Sequence, residues 1–220
     1  MGARNNVSAK QSLAKHMLRT AVLLAVFAII GTGLVAFTFK ATEQPIADSR
    51  RAALLRSLHA LVPDHIHDND LFSDVIQVSD ARLGSDRPMR VFRARLKNKP
   101  VAVVIEAVAP EGYSGNIFLL IAIKHDGELL GVRVSQHRET PGLGDAIDVE
   151  RSDWIHNFVG HSLNKPSASG WRVKRDGGEF DQFTGATITP RAVVKAVFNT
   201  LQYYQAQADT LYAKGAPDGE

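Results

Sequence analysis

The chain has 220 residues, 45% of them hydrophobic, so it holds one ordinary domain plus accessory segments and is not wholly disordered. Its formal net charge is +3, and its basic residues are spread among acidic ones, which argues against nucleic acid as a partner. It contains no cysteine, which excludes disulfides, thiolate metal sites, iron–sulfur ligation and a cysteine nucleophile. Any redox chemistry therefore needs a bound organic cofactor or a partner.

The first strong signal is an uncharged apolar run, which predicts a transmembrane helix at 20–39. A helix of about 20 residues spans a bilayer core of roughly 30 Å, whereas a signal peptide has a shorter apolar region followed by a cleavage site. The residues before the run include basic side chains and no acidic one, and the residues after it mix both signs. This asymmetry predicts a cytoplasmic N-terminus at 1–19, with the main domain across the inner membrane, in the periplasm.

Residues 40–85 are predicted to form a juxtamembrane helix and a connector, followed by one domain at 86–220. The helix is expected at Ile46–Leu61, where apolar residues recur at helical spacing until Val62-Pro63 ends the pattern. No internal repeat or low-complexity segment interrupts the domain.

The domain is predicted to be α+β, with an antiparallel sheet and flanking helices. Strands are expected at Val91–Leu96, Val101–Val108, Ile117–Ile123, Leu129–Val134 and Trp171–Lys174, and Asp126-Gly127 predicts a hairpin. A short helix is expected at Ser152–Phe158. The last helix is predicted to begin with Thr189 as N-cap and Pro190 at its first position, and to run to about Lys214.

Two segments could carry chemistry. The first, 181–190 (DQFTGATITP), combines hydroxyls, a glycine turn and a helix start, where unpaired N–H groups and the helix dipole favour a phosphate. The second, 137–145 (HRETPGLGD), has glycines that allow close backbone approach to a flat ring. Taken alone, the first segment also fits a helix cap without a ligand, and the second fits a turn after a strand.

The pattern Asp-x-x-Thr-Gly-Ala-Thr at 181–187 resembles the flavinylation motif of FMN-binding subunits in bacterial redox-driven ion pumps. The resemblance implies that a flavin transferase, using FAD and a divalent metal, links FMN through a phosphoester to Thr187. It also implies a set of cofactor-binding residues: Asp181, Thr184, Gly185, Ala186 and Thr189 around the motif, and Glu139, Thr140, Gly142, Leu143 and Gly144 in the second segment.

Within these pumps the chain is most similar to the RnfG (RsxG) family of the Rnf complex, over nearly its whole length. The similarity is carried by GGEFDQFTGATITPRAVVKAV, by Gly-Asp after the Pro-Gly-Leu turn, and by Gly112–Gly115. The related flavinylated subunit of the sodium-pumping NADH:quinone reductase is usually longer and more often has Gly-Gly after its leucine. Threonine replaces the commoner serine at position 184.

The resemblance implies an electron-relay subunit that couples ferredoxin/NAD electron transfer to ion translocation, or reduces a redox-sensing regulator. It implies no catalytic residue and no independent activity, because the redox chemistry belongs to the flavin. The expected partners are the second flavinylated subunit, which lies in the membrane, two further integral membrane subunits, and two cytoplasmic iron–sulfur subunits of the Rnf complex. The alternatives are the related subunit of the quinone reductase and a flavin-free periplasmic adaptor.

Other candidate sites are weaker. The acidic and histidine residues after Pro63 (Asp64, His65, His67, Asp68 and Asp70) lack the spacing of a rigid metal site, so a solvated loop and no metal are predicted. Ser114 lies in Gly-Tyr-Ser-Gly-Asn, which does not match the nucleophile elbow of hydrolases.

Overall fold

The computed structural model describes residues 3–213, and the side chains of residues 15–213. Its first element is one long helix, α1 (Ala3–Leu61). The predicted membrane and juxtamembrane helices are therefore continuous, and Pro45 lies within the helix without ending it. The contacts divide the chain into two units between residues 53 and 54.

In the first unit, the apolar side chains of the predicted span are exposed. Phe27 and Phe37 are 70% and 72% exposed, as expected for residues without a protein core to enter. The described part of α1 is long and apolar enough to cross a membrane, as the sequence predicts for residues 20–39.

The second unit contains a five-stranded antiparallel sheet whose strands lie in chain order. These strands are β1 (Val75–Val78), β2 (Met89–Leu96), β3 (Lys99–Gly112), β4 (Gly115–Lys124) and β5 (Leu129–Gln136). The four strands predicted before residue 135 and the Asp126-Gly127 hairpin are confirmed. Strand β1 was not predicted, because four residues are too few to show an alternating pattern.

The sheet is buried on both faces, which explains why β3 and β4 are almost continuously apolar. Val103 and Ile105 of β3 belong to the cluster that packs against the last helix, α2 (Ile188–Tyr212). Ala102 and Val104 face the other way, into a cluster with Leu58 and other residues from the end of α1. The register of β3 therefore assigns each apolar residue to one of two cores.

The strand predicted at Trp171–Lys174 is wrong. Val173 makes a single bridge to Phe180, and Lys174–Asp176 forms a short 3-10 helix. Trp171 and Phe180 instead join an aromatic cluster, with ring centroids 5.1 Å apart. Burial of the large rings in this cluster, rather than a strand ladder, accounts for the apolar residues here.

The predicted short helix is confirmed as a 3-10 helix at Asp153–Phe158, with Ser152 accepting a hydrogen bond from the Trp154 N–H. Phe158 stacks on Phe180 at 4.8 Å between ring centroids. The cluster includes Phe180, which directly precedes the segment that leads into α2, so it anchors the chain before that helix.

Candidate functional site

The site is built around the start of α2, which begins at Ile188 with Thr187 as its N-cap. The predicted start is wrong by two positions: Thr189 is the second residue of the helix and Pro190 the third. Thr187 has helical backbone angles (φ −73°, ψ −25°) and its side chain makes no capping hydrogen bond. A capping side chain accepts from the second or third helical N–H, and Pro190 removes the latter donor. The Thr187 hydroxyl is thus not used by the helix.

The turn before the helix exposes part of the 181–190 segment to solvent. The Ala186 N–H donates to the Phe183 carbonyl at 3.2 Å, and Gly185 has φ +82°. A turn with positive φ at this position favours glycine. Thr184 and Gly185 are exposed, and Thr187 is half-buried. The Thr187 side chain is therefore partly accessible from the solvent side.

Glu139 ties the second segment to this helix. Its side chain is only 5% exposed, and its Oε2 accepts a hydrogen bond from the fully buried Thr189 hydroxyl. Its Oε1 accepts from the Ser114 backbone N–H at 3.0 Å. Both oxygens of the carboxylate therefore act as hydrogen-bond acceptors. We call the contact of Glu139 with Ser114 and Thr189 the Glu139 clasp.

The space around the clasp requires glycine at 144. A Cβ built on Gly144 would lie 2.7 Å from Glu139 Oε2 and 2.9 Å from Thr189 Oγ1. The neighbouring turn is closed by the Leu143 N–H, which donates to the Thr140 carbonyl at 3.1 Å, and Gly142 has φ +78°. The Pro-Gly-Leu-Gly sequence thus forms a tight turn that lets Glu139 reach α2.

The two predicted segments also meet at Leu143 and Gly185. A Cβ built on Gly185 would be 3.5 Å from Leu143 Cδ2, so these residues are neighbours across the site. The structure therefore brings Glu139, Leu143 and Gly144 together with Gly185 and Thr189. Thr140 and Gly142 are exposed on the turn beside them.

Asp181 is held through its backbone. Trp154 Nε1–H donates to the Asp181 carbonyl at 2.8 Å, whereas the carboxylate forms an exposed ion pair with Lys174 at 2.6 Å. An exposed pair of this kind contributes little to stability.

The cation nearest in sequence to Thr187 within the helix is already paired. Arg191 donates to both oxygens of Asp176, at 2.5 and 2.6 Å, and these hydrogen bonds lower the pKa of Asp176. An anion at the start of α2 therefore depends on the unpaired N–H groups of Ile188 and Thr189 and on the helix dipole. These groups, with the free hydroxyl and the exposed glycine turn, fit a phosphate attached to Thr187.

Sequence reasoning missed two contributions. Gly112–Gly115 was noted only for its resemblance to a family, yet Ser114 bonds to Glu139, and a Cβ on Gly112 would lie 3.0 Å from Glu139 Oε1. The inward role of Thr189 was also missed. The hydrogen bonds of Glu139 with Ser114 and with Thr189 join residues at least 25 positions apart, so no local spacing in the sequence predicts them.

The loop after Pro63 uses its polar groups within the fold. His67 Nδ1 lies 2.9 Å from the Asn69 carbonyl, Asp68 accepts from the Lys97 N–H, and Asp70 accepts from the Phe72 N–H. Among the residues that the structure describes, no three such side chains are grouped to hold a metal.

The chain matches two protein-family models. Residues 112–202 match the FMN-binding domain, and residues 9–61 match the RnfG N-terminal region. The first match contains both halves of the site, from the Gly112 turn to the start of α2. It identifies FMN as the cofactor of this domain.

Curated proteins named as the G subunit of an ion-translocating oxidoreductase complex are similar over most of the chain. The protein from Shewanella baltica is 50% identical, covering 89% of this chain and 94% of its own length. A protein from Pseudomonas aeruginosa is 49% identical, with 90% and 94% coverage. One from Vibrio cholerae is 43% identical, with 90% and 95% coverage.

Proposed function

Because the chain belongs to the RnfG family of ion-translocating oxidoreductase complexes, we propose that it is the FMN-carrying electron-relay subunit of such a membrane complex. The observation that supports this most directly is that two segments distant in sequence meet beside the Thr187 hydroxyl, which makes no capping hydrogen bond. The bound FMN supplies the redox chemistry. The protein supplies its attachment, position and surroundings.

We propose that Thr187 carries the FMN through a phosphoester. In the reaction that the resemblance implies, Thr187 Oγ forms a bond to the FMN phosphorus of FAD, the hydroxyl proton is released and AMP leaves. The N–H groups of Ile188 and Thr189 then face the phosphate charge. We propose that the Asp181 carboxylate, six residues upstream, helps to bind the divalent metal that the transferase uses.

We further propose that residues 1–19 are cytoplasmic, that 20–39 span the inner membrane, and that the residues after the span, predicted as a connector at 40–85 and a domain at 86–220, lie in the periplasm. The expected neighbours are the membrane subunit that carries the second flavin, two further integral subunits, and two cytoplasmic iron–sulfur subunits. No independent catalytic activity is expected, because the redox chemistry belongs to the flavin. The relatives at 43–50% identity favour the RnfG family over the related subunit of the quinone reductase.

The test of the attachment is the mass of the denatured full-length chain, produced with and without a flavin transferase. We expect a mass increase equal to FMN minus water only with the transferase, and we expect peptide mapping to place it on Thr187. A chain that stays unmodified with an active transferase, and that binds no yellow cofactor, would leave the flavin-free adaptor as the better interpretation.

The orientation can be tested directly because the natural chain has no cysteine. We expect a cysteine at the exposed position 164 (Asn164→Cys) to react with a membrane-impermeant thiol reagent applied to cells with a permeabilised outer membrane. The matched Ser8→Cys variant should react only after the inner membrane is opened. The reverse pattern would place the domain in the cytoplasm.

A further inference from the structure

We infer that Tyr113, at the tip of the β3–β4 hairpin, contacts the flavin ring of the FMN on Thr187 and quenches its fluorescence. The inference rests on the proposed function and adds a third segment to the ring site. It begins from the apolar side chains that the domain leaves exposed. Within residues 54–213, six large apolar side chains are exposed: Leu96, Tyr113, Leu143, Val149, Val159 and Ile188.

Three of these six lie on the segments that the Glu139 clasp joins. Tyr113 precedes Ser114, whose N–H donates to Glu139 Oε1. Ile188 precedes Thr189, whose hydroxyl donates to Oε2. Leu143 precedes Gly144, whose backbone packs against the Glu139 side chain. In three separate segments, therefore, an exposed apolar residue directly precedes a residue that contacts Glu139.

Tyr113 is the most exposed of the three, at 69%, compared with 45% for Leu143 and 46% for Ile188. Its turn is closely defined, because Gly112 pairs with Gly115 and a Cβ on Gly112 would be 2.2 Å from the Gly115 carbonyl oxygen. The tip is thus held in place by the hairpin and by Ser114. A single exposed apolar side chain needs no explanation, but several around one polar anchor mark a binding surface.

The occupant to which these observations point is the flavin ring itself. The ring is planar with apolar faces, and the ribityl phosphate that carries it is attached at Thr187, the direct neighbour of Ile188, in the proposed function. Leu143 and Ile188 offer aliphatic contact, and Tyr113 offers an aromatic face for stacking. The second possible occupant, an apolar surface of another protein in the complex, would leave the ring of the isolated protein away from Tyr113.

The test compares flavinylated full-length protein with Tyr113→Leu and Tyr113→Phe. A tyrosine in contact with a flavin quenches its emission by electron transfer, and leucine and phenylalanine do not donate in this way. We expect the flavin fluorescence to rise several-fold, with a longer lifetime, in both variants. The visible circular dichroism should stay close to native in Tyr113→Phe, which keeps a ring for packing, and should change in Tyr113→Leu.

The control is Leu96→Ala, which removes an exposed apolar side chain from the end of β2 and should leave emission and circular dichroism unchanged. Intact mass must show a full FMN adduct in each variant, which separates this inference from the proposed attachment. If Tyr113→Leu carries the full adduct but has native emission and circular dichroism, the inference is wrong and the apolar surface serves a partner. An adduct missing from the native chain would overturn both proposals.

Discussion

Replacing Thr187 with alanine is expected to abolish covalent FMN and to leave the fold intact. The hydroxyl is the only atom that the phosphoester can use at this position, so the loss should be complete rather than partial. Because the side chain makes no capping hydrogen bond, its removal should change the free energy of unfolding by less than about 0.5 kcal/mol relative to the native chain without FMN. Intact mass and flavin fluorescence of the denatured chain measure the first effect, and thermal unfolding measures the second.

Two variants control for this result. Thr187→Ser keeps a hydroxyl at the same place and should retain the adduct. Thr210→Ala removes an exposed hydroxyl from the far end of α2, outside both segments of the site, and should also retain it. An adduct that persists in Thr187→Ala, or that maps to Thr184 in the native chain, would show that the attachment site has been assigned to the wrong threonine.

Replacing Glu139 with alanine is expected to lower the free energy of unfolding by about 2–3 kcal/mol and to reduce flavin loading strongly. The change removes the acceptor of the buried Thr189 hydroxyl and of the Ser114 N–H, and a buried donor without a partner costs about 1–3 kcal/mol. The start of α2 would then lose its link to the second segment. Urea unfolding of the purified full-length chain and the adduct fraction by mass measure the two effects.

The free energy of unfolding of Glu139→Gln should lie between those of the native chain and Glu139→Ala. The amide oxygen can still accept one of the two hydrogen bonds, whereas the NH2 group faces a donor. Gly144→Ala should resemble Glu139→Ala, since the new methyl group would collide with Glu139 Oε2 and Thr189 Oγ1. Its matched control is Gly131→Ala, whose Cβ would lie 3.0 Å from Leu61 Cδ2 and 4.0 Å from Arg133 Nη1, outside the Glu139 clasp. A loss of less than about 0.5 kcal/mol in Glu139→Ala would contradict the clasp.

Local patterns predicted most of the sheet. Strands β2 to β5 have the alternating or continuously apolar patterns of half-buried and fully buried strands, and Asp126-Gly127 specifies its turn by residue type. Local patterns failed at Trp171–Lys174, where apolar residues fill an aromatic cluster rather than pair in a sheet. Periodicity cannot distinguish these outcomes in so short a segment.

The start of α2 shows a second limit of sequence reasoning. Thr189-Pro190 has the residue types of an N-cap and a first helical position, but Thr189 turns inward because Glu139, 50 residues away, provides a buried acceptor. The two flavin segments were recognised by resemblance, and their meeting at Leu143 and Gly185 required the fold. A tertiary hydrogen bond overrides a local capping preference in this case.

If FMN is attached to Thr187 as proposed, the free hydroxyl there gives the cofactor a structural role as well as a redox role. The chain forgoes a capping hydrogen bond of about 1 kcal/mol at the first turn of α2, because the backbone at Thr187 is helical and Pro190 lacks an N–H. With FMN attached as proposed, its phosphate would supply acceptor oxygens for the N–H groups that remain, and the cofactor would complete the end of the helix that its attachment site leaves open. Maturation would therefore also stabilise the first turn of α2.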